Sequence, residues 1–309
     1  MKMTFLNCLL AITALLPSCS RADKWDQAVT IENEIKQTSF PADTLNIVDF
    51  GAVQGDTAFL NTKAFDAAIK KCNSNGGGVV LVPEGTWYTG PVTLLSNVNL
   101  HISLNAKVLF STDYNQYLPP VLTRWEGMDC YNIHPLIYAV DASNIALTGK
   151  GTIDGQASNE KWWWMNGNPD YGWQEGMNSQ TIAARPILLG YEQNQTPVGE
   201  RVFGLEGALR PQLINFVNCN TVLIEGLTIK NSPFWVIHPV LTDNFILRDV
   251  NITSKGPNSD GCDPESCSNV LIDNCYFDTG DDCIAIKSGR NNDGRRWNKP
   301  SENIIVRNC

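Results

Sequence analysis

Short apolar runs recur along this chain at a near-constant spacing, each opened by a polar turn residue and followed by a second short apolar run. The stretch 221–229 (Thr-Val-Leu-Ile-Glu-Gly-Leu-Thr-Ile) reappears as 244–252, 23 residues later, and as 269–277, 25 residues after that. A further copy opens at 303–309, the extra length being taken up by a polar loop over 290–300, and fainter copies begin at Asn97 and Asn144. Each unit is β-rich and too short to bury its own apolar face, so units must stack on one another. Strand-like units of this size without intervening helices predict an all-β fold, a right-handed parallel β-helix. Leucine-rich repeats are the competing solenoid, but their fixed Leu spacing is missing. The Asn before most of the runs fits a turn, since Asn bonds its own backbone and tolerates left-handed conformations.

Outside the repeat, 45–53 reads as a strand and turn. Asn61 and Thr62 open a helix through Cys72 whose apolar face is Ala64, Phe65, Ala68 and Ile69, a suitable cap for the open end of a solenoid core. The helix stops at Gly76-Gly77-Gly78. No Lys-Ser/Thr follows and a strand comes next, so this triplet is a loop rather than a phosphate cradle. The repeat is lost over 155–206, an insertion rich in Trp, Asn and Gly that includes Trp162, Trp163, Trp164, Tyr171, Trp173 and Tyr191. Such aromatics either stack on sugar rings or pin the loop to the solenoid. Arg185, Arg201 and Arg210 are candidates for carboxylate binding, although ordinary surface arginine is the commoner role for any one of them.

The chemistry concentrates in 258–289. Asn258-Ser259-Asp260-Gly261 is followed about one coil later by Gly280-Asp281-Asp282-Cys283 and an apolar run to Lys287. Adjacent like charges beside an apolar run shift each other's proton affinity, which suits acid/base work; taken alone, an acidic turn or a cation site fits equally well. Because equivalent positions on successive coils stack in space, Asp260 and the Asp281/Asp282 pair can sit on neighbouring coils of one face.

The first residues read as an export signal: basic Lys2, an apolar run over 5–16 too short to span a bilayer, and Ser18-Cys19, which resembles a lipoprotein cleavage site. The expected organisation is a signal over 1–19, a polar tether over 20–44 and one β-helix domain over 45–309. The expected location is the periplasm or outer membrane of a bacterium, attached through lipidated Cys19. Of ten cysteines, Cys262 and Cys267 form the one close pair offered as a disulfide, whereas Cys275 and Cys309 share a repeat position suited to a small buried side chain. Three scattered histidines and no CxxC argue against a metal site. The net charge of −9 disfavours nucleic acid as a partner.

Asp49-Phe50-Gly51-Ala52, Asn61-Thr62, Gly76-Gly77-Gly78, 149–155, Asn231-Ser232-Pro233-Phe234-Trp235, Asn258-Ser259-Asp260-Gly261 and Gly280-Asp281-Asp282-Cys283, in this order, resemble glycoside hydrolase family 28, the polygalacturonases and their relatives. Ser259 stands where that family more often has Thr. The resemblance implies a monomer that hydrolyses α-linked galacturonic acid in pectic polysaccharide or oligogalacturonide, inverting the anomeric carbon without a cofactor. It implies Asp281 as general acid and Asp260 and Asp282 as the carboxylates that activate water. An inverting pair stands roughly 6.5–9.5 Å apart, which neighbouring coils ~4.8 Å apart can supply with diverging side chains. Like-charge repulsion from Asp260 and Asp282 is expected to keep Asp281 protonated. Asn258, Lys287 and Arg290 are the expected substrate-binding residues, and the insertion is expected to block one end of a cleft and favour exo action. The family pattern continues with a Gly-His-Gly motif on the next coil and an Arg-x-Lys motif one coil later. Neither occurs in these 309 residues, and His101, His134 and His238 are not placed to substitute. The expectation is thus a fragment with the carboxylates but only part of the substrate-binding wall. Two rivals stay open: a pectate-lyase-like β-helix whose acids hold Ca²⁺, and an inactive carbohydrate-binding solenoid.

Overall fold

The computed structural model describes residues 24–309. The signal read over 1–19, with Cys8 and Cys19, lies outside that range. From residue 78 onward the chain winds through three parallel sheets in the repeating order A, B, C. Sheet A has eight strands, sheet B six and sheet C four. Sheet C is prolonged by isolated parallel bridges from Ile237 to Cys262 to Ile284 and from Val240 to Glu265 to Lys287. This is the parallel β-helix expected from the repeat.

The pairing explains why the spacing was readable. Val222, Phe245, Val270 and Ile304 are direct partners on successive strands of sheet A, the register that superposing the sequence copies requires. One core column runs Val80, Leu100, Leu147, Ile224, Leu247, Ile272, Val306, and all but Val306, on the edge strand, are buried. Each fully buried aliphatic side chain in such a column contributes about 1.5–3 kcal/mol. The turn residue ahead of each run takes the left-handed conformation: Asn97, Asn144, Asn244, Asn269 and Asn303 have φ between 55° and 65°, and Thr221 has φ 59°. Their side chains also bridge coils, with Asn144 Nδ2 donating to Asn97 Oδ1 and Asn303 Nδ2 to Asn269 Oδ1, both at 3.0 Å.

Among the described residues four α-helices accompany the coil. Helix α1 (Lys24–Glu34) replaces much of the expected free tether. Outward-facing Ile246 and Leu271 of sheet A are apolar, and Ile35, just after α1, buries them together with Leu223 and Ile305. The segment is tied down by Arg307 forking onto Glu32 at 2.6 and 2.8 Å, Lys36 N donating to Asn244 Oδ1, and a reciprocal pair between Ser39 and Asn144. Helix α2 (Thr62–Ser74) is the expected cap, burying Ala64, Phe65, Ala68, Ile69 and Cys72. Asn61 does not cap it through its side chain; instead that amide bonds Val53 N, Val53 O and Tyr88 O, tying the preceding loop to sheet B. Helix α3 (Ala184–Gln193) lies in the insertion, and α4 (Asn291–Trp297) occupies what read as a polar loop.

From residue 78 onward, every large excursion except α4 leaves from the corner between sheets B and C. One is an antiparallel hairpin, Val121–Trp125 with Met128–Asn132, and another is the insertion between Asp154 and Ile214. The acidic turns at 255–261 and 280–283 lie at the same corner of the next two coils.

The left-handed column yields a test. Asn269→Val should destabilise the protein by about 1–2 kcal/mol, because a β-branched residue is strained at that φ. Thr221→Asn, which removes a β-branched residue from the same conformation, should stabilise it. Urea unfolding midpoints of the two variants should therefore move in opposite directions.

Candidate active site

The three aspartates come together at the corner leading into sheet C. Asp260 is 5% exposed, and Asp281 and Asp282 are exposed on the next coil. The backbone is stitched across three coils: Val236 N donates to Asp260 O at 2.8 Å and Gly261 N to Asp282 O at 2.9 Å. The flanking glycines are steric necessities. A Cβ on Gly261 would stand 2.4 Å from the Phe277 ring and 2.6 Å from Cys283 O, and one on Gly280 would stand 2.3 Å from Gly256 O. The motif thus reads Asp-Gly on one coil and Gly-Asp-Asp on the next because backbones touch there.

Lys287 closes the group. Its Nζ lies 2.9 Å from Asp263 Oδ1, 3.3 Å from Asp260 Oδ2 and 4.6 Å from the centre of the Trp235 ring. Burial raises the proton affinity of Asp260; Lys287 opposes this and the nearby Asp281 charge adds to it. The fully buried Asp263 is pushed much further up, chiefly by loss of water and then by the Asp260 charge. The structure thus puts a raised proton affinity on Asp260, where the sequence placed the like-charge effect on Asp281.

Two walls enclose the upstream end. The hairpin lies on the outer face of sheet C, with Thr123 Oγ1 donating to Asn215 Oδ1 at 2.8 Å and Gln212 Nε2 to Arg124 O at 2.9 Å. Its turn, Glu126-Gly127, has positive φ at both residues, matching the right-handed twist of paired strands. Gly127 O accepts from Arg290 N at 2.9 Å, and Glu126 receives Arg185 at 2.9 Å and Arg290 at 3.4 Å. The insertion is riveted to the acidic turns themselves. Buried Arg210 donates to Pro233 O, Pro257 O, Asn258 Oδ1 and Gln180 Oε1, while Trp163 packs on Gly256 and donates to Ser232 O. Trp125, Phe234 and Trp235 stack in sequence with ring centres 5.3 and 5.0 Å apart, joining hairpin to site.

Residues 200–307 match the family model for glycosyl hydrolases family 28. The chain belongs to glycoside hydrolase family 28. It is similar to a probable polygalacturonase of Vitis vinifera, with 31% identity over 97% of this chain and 55% of that protein. It is also similar to an exo-poly-alpha-D-galacturonosidase of Dickeya chrysanthemi, 26% identical over 85% of this chain and 45% of that one. In structure it resembles a hyperthermoactive exopolygalacturonase from Thermotoga maritima, with TM-score 0.88, 46% identity, and coverage of 91% of this chain and 63% of that one. The chain thus spans about half the length of these curated relatives.

Against this family 28 frame several sequence expectations change. Asn258, expected at substrate, spends its Oδ1 on Arg210 at 2.7 Å and Asn166 at 3.1 Å, so it braces the turn. Lys287 is central but held by carboxylates. Arg290 lines the groove beside Gly127, Trp235 and Lys287. Arg201 and Arg210 are buried, not surface arginines, because each compensates polar groups that the insertion buries. Trp162 is buried against Tyr114 and Tyr117, and Trp164 bonds the Tyr114 hydroxyl, so this trio pins the loop rather than offering sugar platforms. Cys262 and Cys267 are free buried thiols, not a disulfide; Cys267 donates to Pro239 O. Asp263, Trp235 and Glu126 escaped sequence reasoning. The Asp263 signal was present, three residues after Asp260, where the turn runs into sheet C.

Beneath the groove lies a charge network that only the fold assembles. Arg124 meets Asp129 at 2.7 Å and Glu265 at 3.7 Å, His238 Nε2 lies 2.8 Å from Glu265, and Arg201 forks onto Asp293 of α4 at 2.6 and 3.2 Å. Burial holds His238 below the usual imidazole range, so it serves this network as a neutral side chain. Asp293→Ala would leave Arg201 buried without its partner and should cost about 3–5 kcal/mol. Replacing both residues together with apolar side chains should recover much of that loss, as chemical denaturation would show.

Proposed function

We propose that this chain carries the catalytic centre of an exo-acting polygalacturonase, cleaving α-linked galacturonic acid with inversion. Asp281 donates a proton to the departing glycosidic oxygen, while Asp260 and Asp282 draw a proton from the attacking water. The observation that carries the reading is the environment of Asp260. It is buried, held on one side by Lys287, and faces the exposed Asp281 across one coil step. Carboxylates in contrasting environments are what acid and base roles require, and raised proton affinity makes Asp260 the stronger base.

Exo action follows from the walls. The outer face of sheet C is covered upstream by the hairpin and the insertion, so a polymer entering the groove meets a closed end beside Glu126. That end carries Arg185 and Arg290, suited to the carboxylate of a uronic acid. The closed end is built by the hairpin as much as by the Trp-rich insertion. Against the calcium-dependent lyase reading stands the Lys287 ammonium, which already occupies the space between Asp260 and Asp263 where a cation would bridge them.

Asp281→Asn should lower reducing-end release from polygalacturonate by about 10²–10⁴-fold, with calcium chelated throughout. The wild-type products should be mono- or disaccharide from the first time point. Early mid-size oligomers would refute exo action, and an unsaturated product absorbing in the ultraviolet would favour the lyase. We also propose export with lipid attachment at Cys19, on the basis of the apolar run over 5–16 and Ser18-Cys19. Cys19→Ser should then move the protein from the membrane fraction to the soluble fraction; retention on the membrane would count against lipidation.

A further inference from the structure

Lys287 places its ammonium against two carboxylates and one aromatic face. Two carboxylate oxygens lie at 2.9 and 3.3 Å, and the face of Trp235 lies 4.6 Å away. Asp263 has no exposure, and Lys287 is the cation that reaches it. Its backbone is anchored by Asp263 N donating to Ile237 O at 2.8 Å, and the strand position of Lys287 by Lys287 N donating to Pro264 O at 2.9 Å. The lysine thus stands on the coil after Asp263, with its ammonium shared between the two aspartates.

We propose that Lys287 and Asp263 act as a positioning pair that orients Asp260 and sets its basicity, and that Lys287 is not a substrate ligand. The inference rests on the reading of Asp260 as a water-activating carboxylate. The charged groups facing Asp260 are Lys287, Asp263 and Asp281, with Asp282 on the adjoining coil; Glu265 is engaged instead by His238 and Arg124. The pair works through geometry and charge together. Asp263 Oδ1 and Asp260 Oδ2 share the ammonium at 2.9 and 3.3 Å, which fixes one Asp260 oxygen. The shared cation opposes part of the penalty of burying Asp260.

Lys287→Met removes the cation and should move the acidic limb of the kcat/KM profile up by about one pH unit, with kcat falling and KM little changed. Lys287→Arg should keep the limb near its wild-type position. Asp263→Ala should lower kcat, and adding Lys287→Met to it should cost far less than the two single losses combined, because the residues act as a unit. Carbon-13 NMR of the carboxyl groups in aspartate-labelled chain reads the Asp260 titration without turnover and should show the same upward move for Lys287→Met. A raised KM with an unmoved limb, additive losses in the double variant, or an unmoved Asp260 titration would each overturn the pair. If the titration moves as expected while the wild-type chain cleaves no pectic polymer, the pair stands and the assignment of Asp260 to water activation falls. If Asp263→Ala does not fold, the lysine variants and the NMR titration alone decide.

Discussion

Parallel, in-register stacking of coils is the constraint on which everything else in this protein depends. Once Leu147, Ile224, Leu247 and Ile272 are forced into one buried column, every residue on a coil acquires a fixed neighbour on the next. A distance of one coil in sequence becomes one strand spacing in space, about 4.8 Å. That converts Asp260 and Asp282, far apart as chain positions, into stacked neighbours, and brings Lys287 under Glu265 and within reach of Asp263. The backbone itself supplies the precision, since sheet bonds set the spacing before any side chain is placed.

The same geometry explains where the protein tolerates irregularity. Sheet A keeps one register through eight strands, and its outer face is sealed in part by the segment around Ile35. The corner between sheets B and C, by contrast, emits the hairpin, the insertion and both acidic turns. A loop leaving that corner can only fold onto sheet C or away from it. Those that fold onto it bury charges, and the structure compensates each one: Arg210 by carbonyls, Arg201 by Asp293, Arg124 by Asp129 and Glu265. Buried ion pairs are weak contributors to stability but unforgiving of mismatch. This suits a wall that must stand in one place relative to Asp260 and Asp281.

Function in this frame is a matter of graded environments along one short groove. Asp281 and Asp282 meet solvent, Asp260 is nearly dry, and Asp263 is wholly enclosed, with one lysine distributed between the last two. Carboxylates of one chemical type thereby stand in different environments, and burial raises the proton affinity of Asp260 and, further, of Asp263. The cation-bearing end of that groove lies beside Glu126, where Arg185 and Arg290 meet its carboxylate.

The repeat, its register, the left-handed turn at Asn97, Asn144, Asn244, Asn269 and Asn303, the capping helix and the clustering of Asp260 with Asp281 and Asp282 were all determined by the sequence alone. Each is a local or periodic property: stacking copies onto copies needs only their spacing, and an Asn before an apolar run carries its own conformational preference. What only the tertiary structure decided are the partnerships between segments without periodicity. That Asn258 faces Arg210, that Lys287 is spent on Asp260 and Asp263, that Trp162 is core and that the hairpin closes the groove each depend on how 121–132 and 155–213 fold back over sheet C. No period fixes that return path. It is set by which buried charges find partners and which aromatic faces find packing, quantities that exist only once distant parts of the chain are in contact.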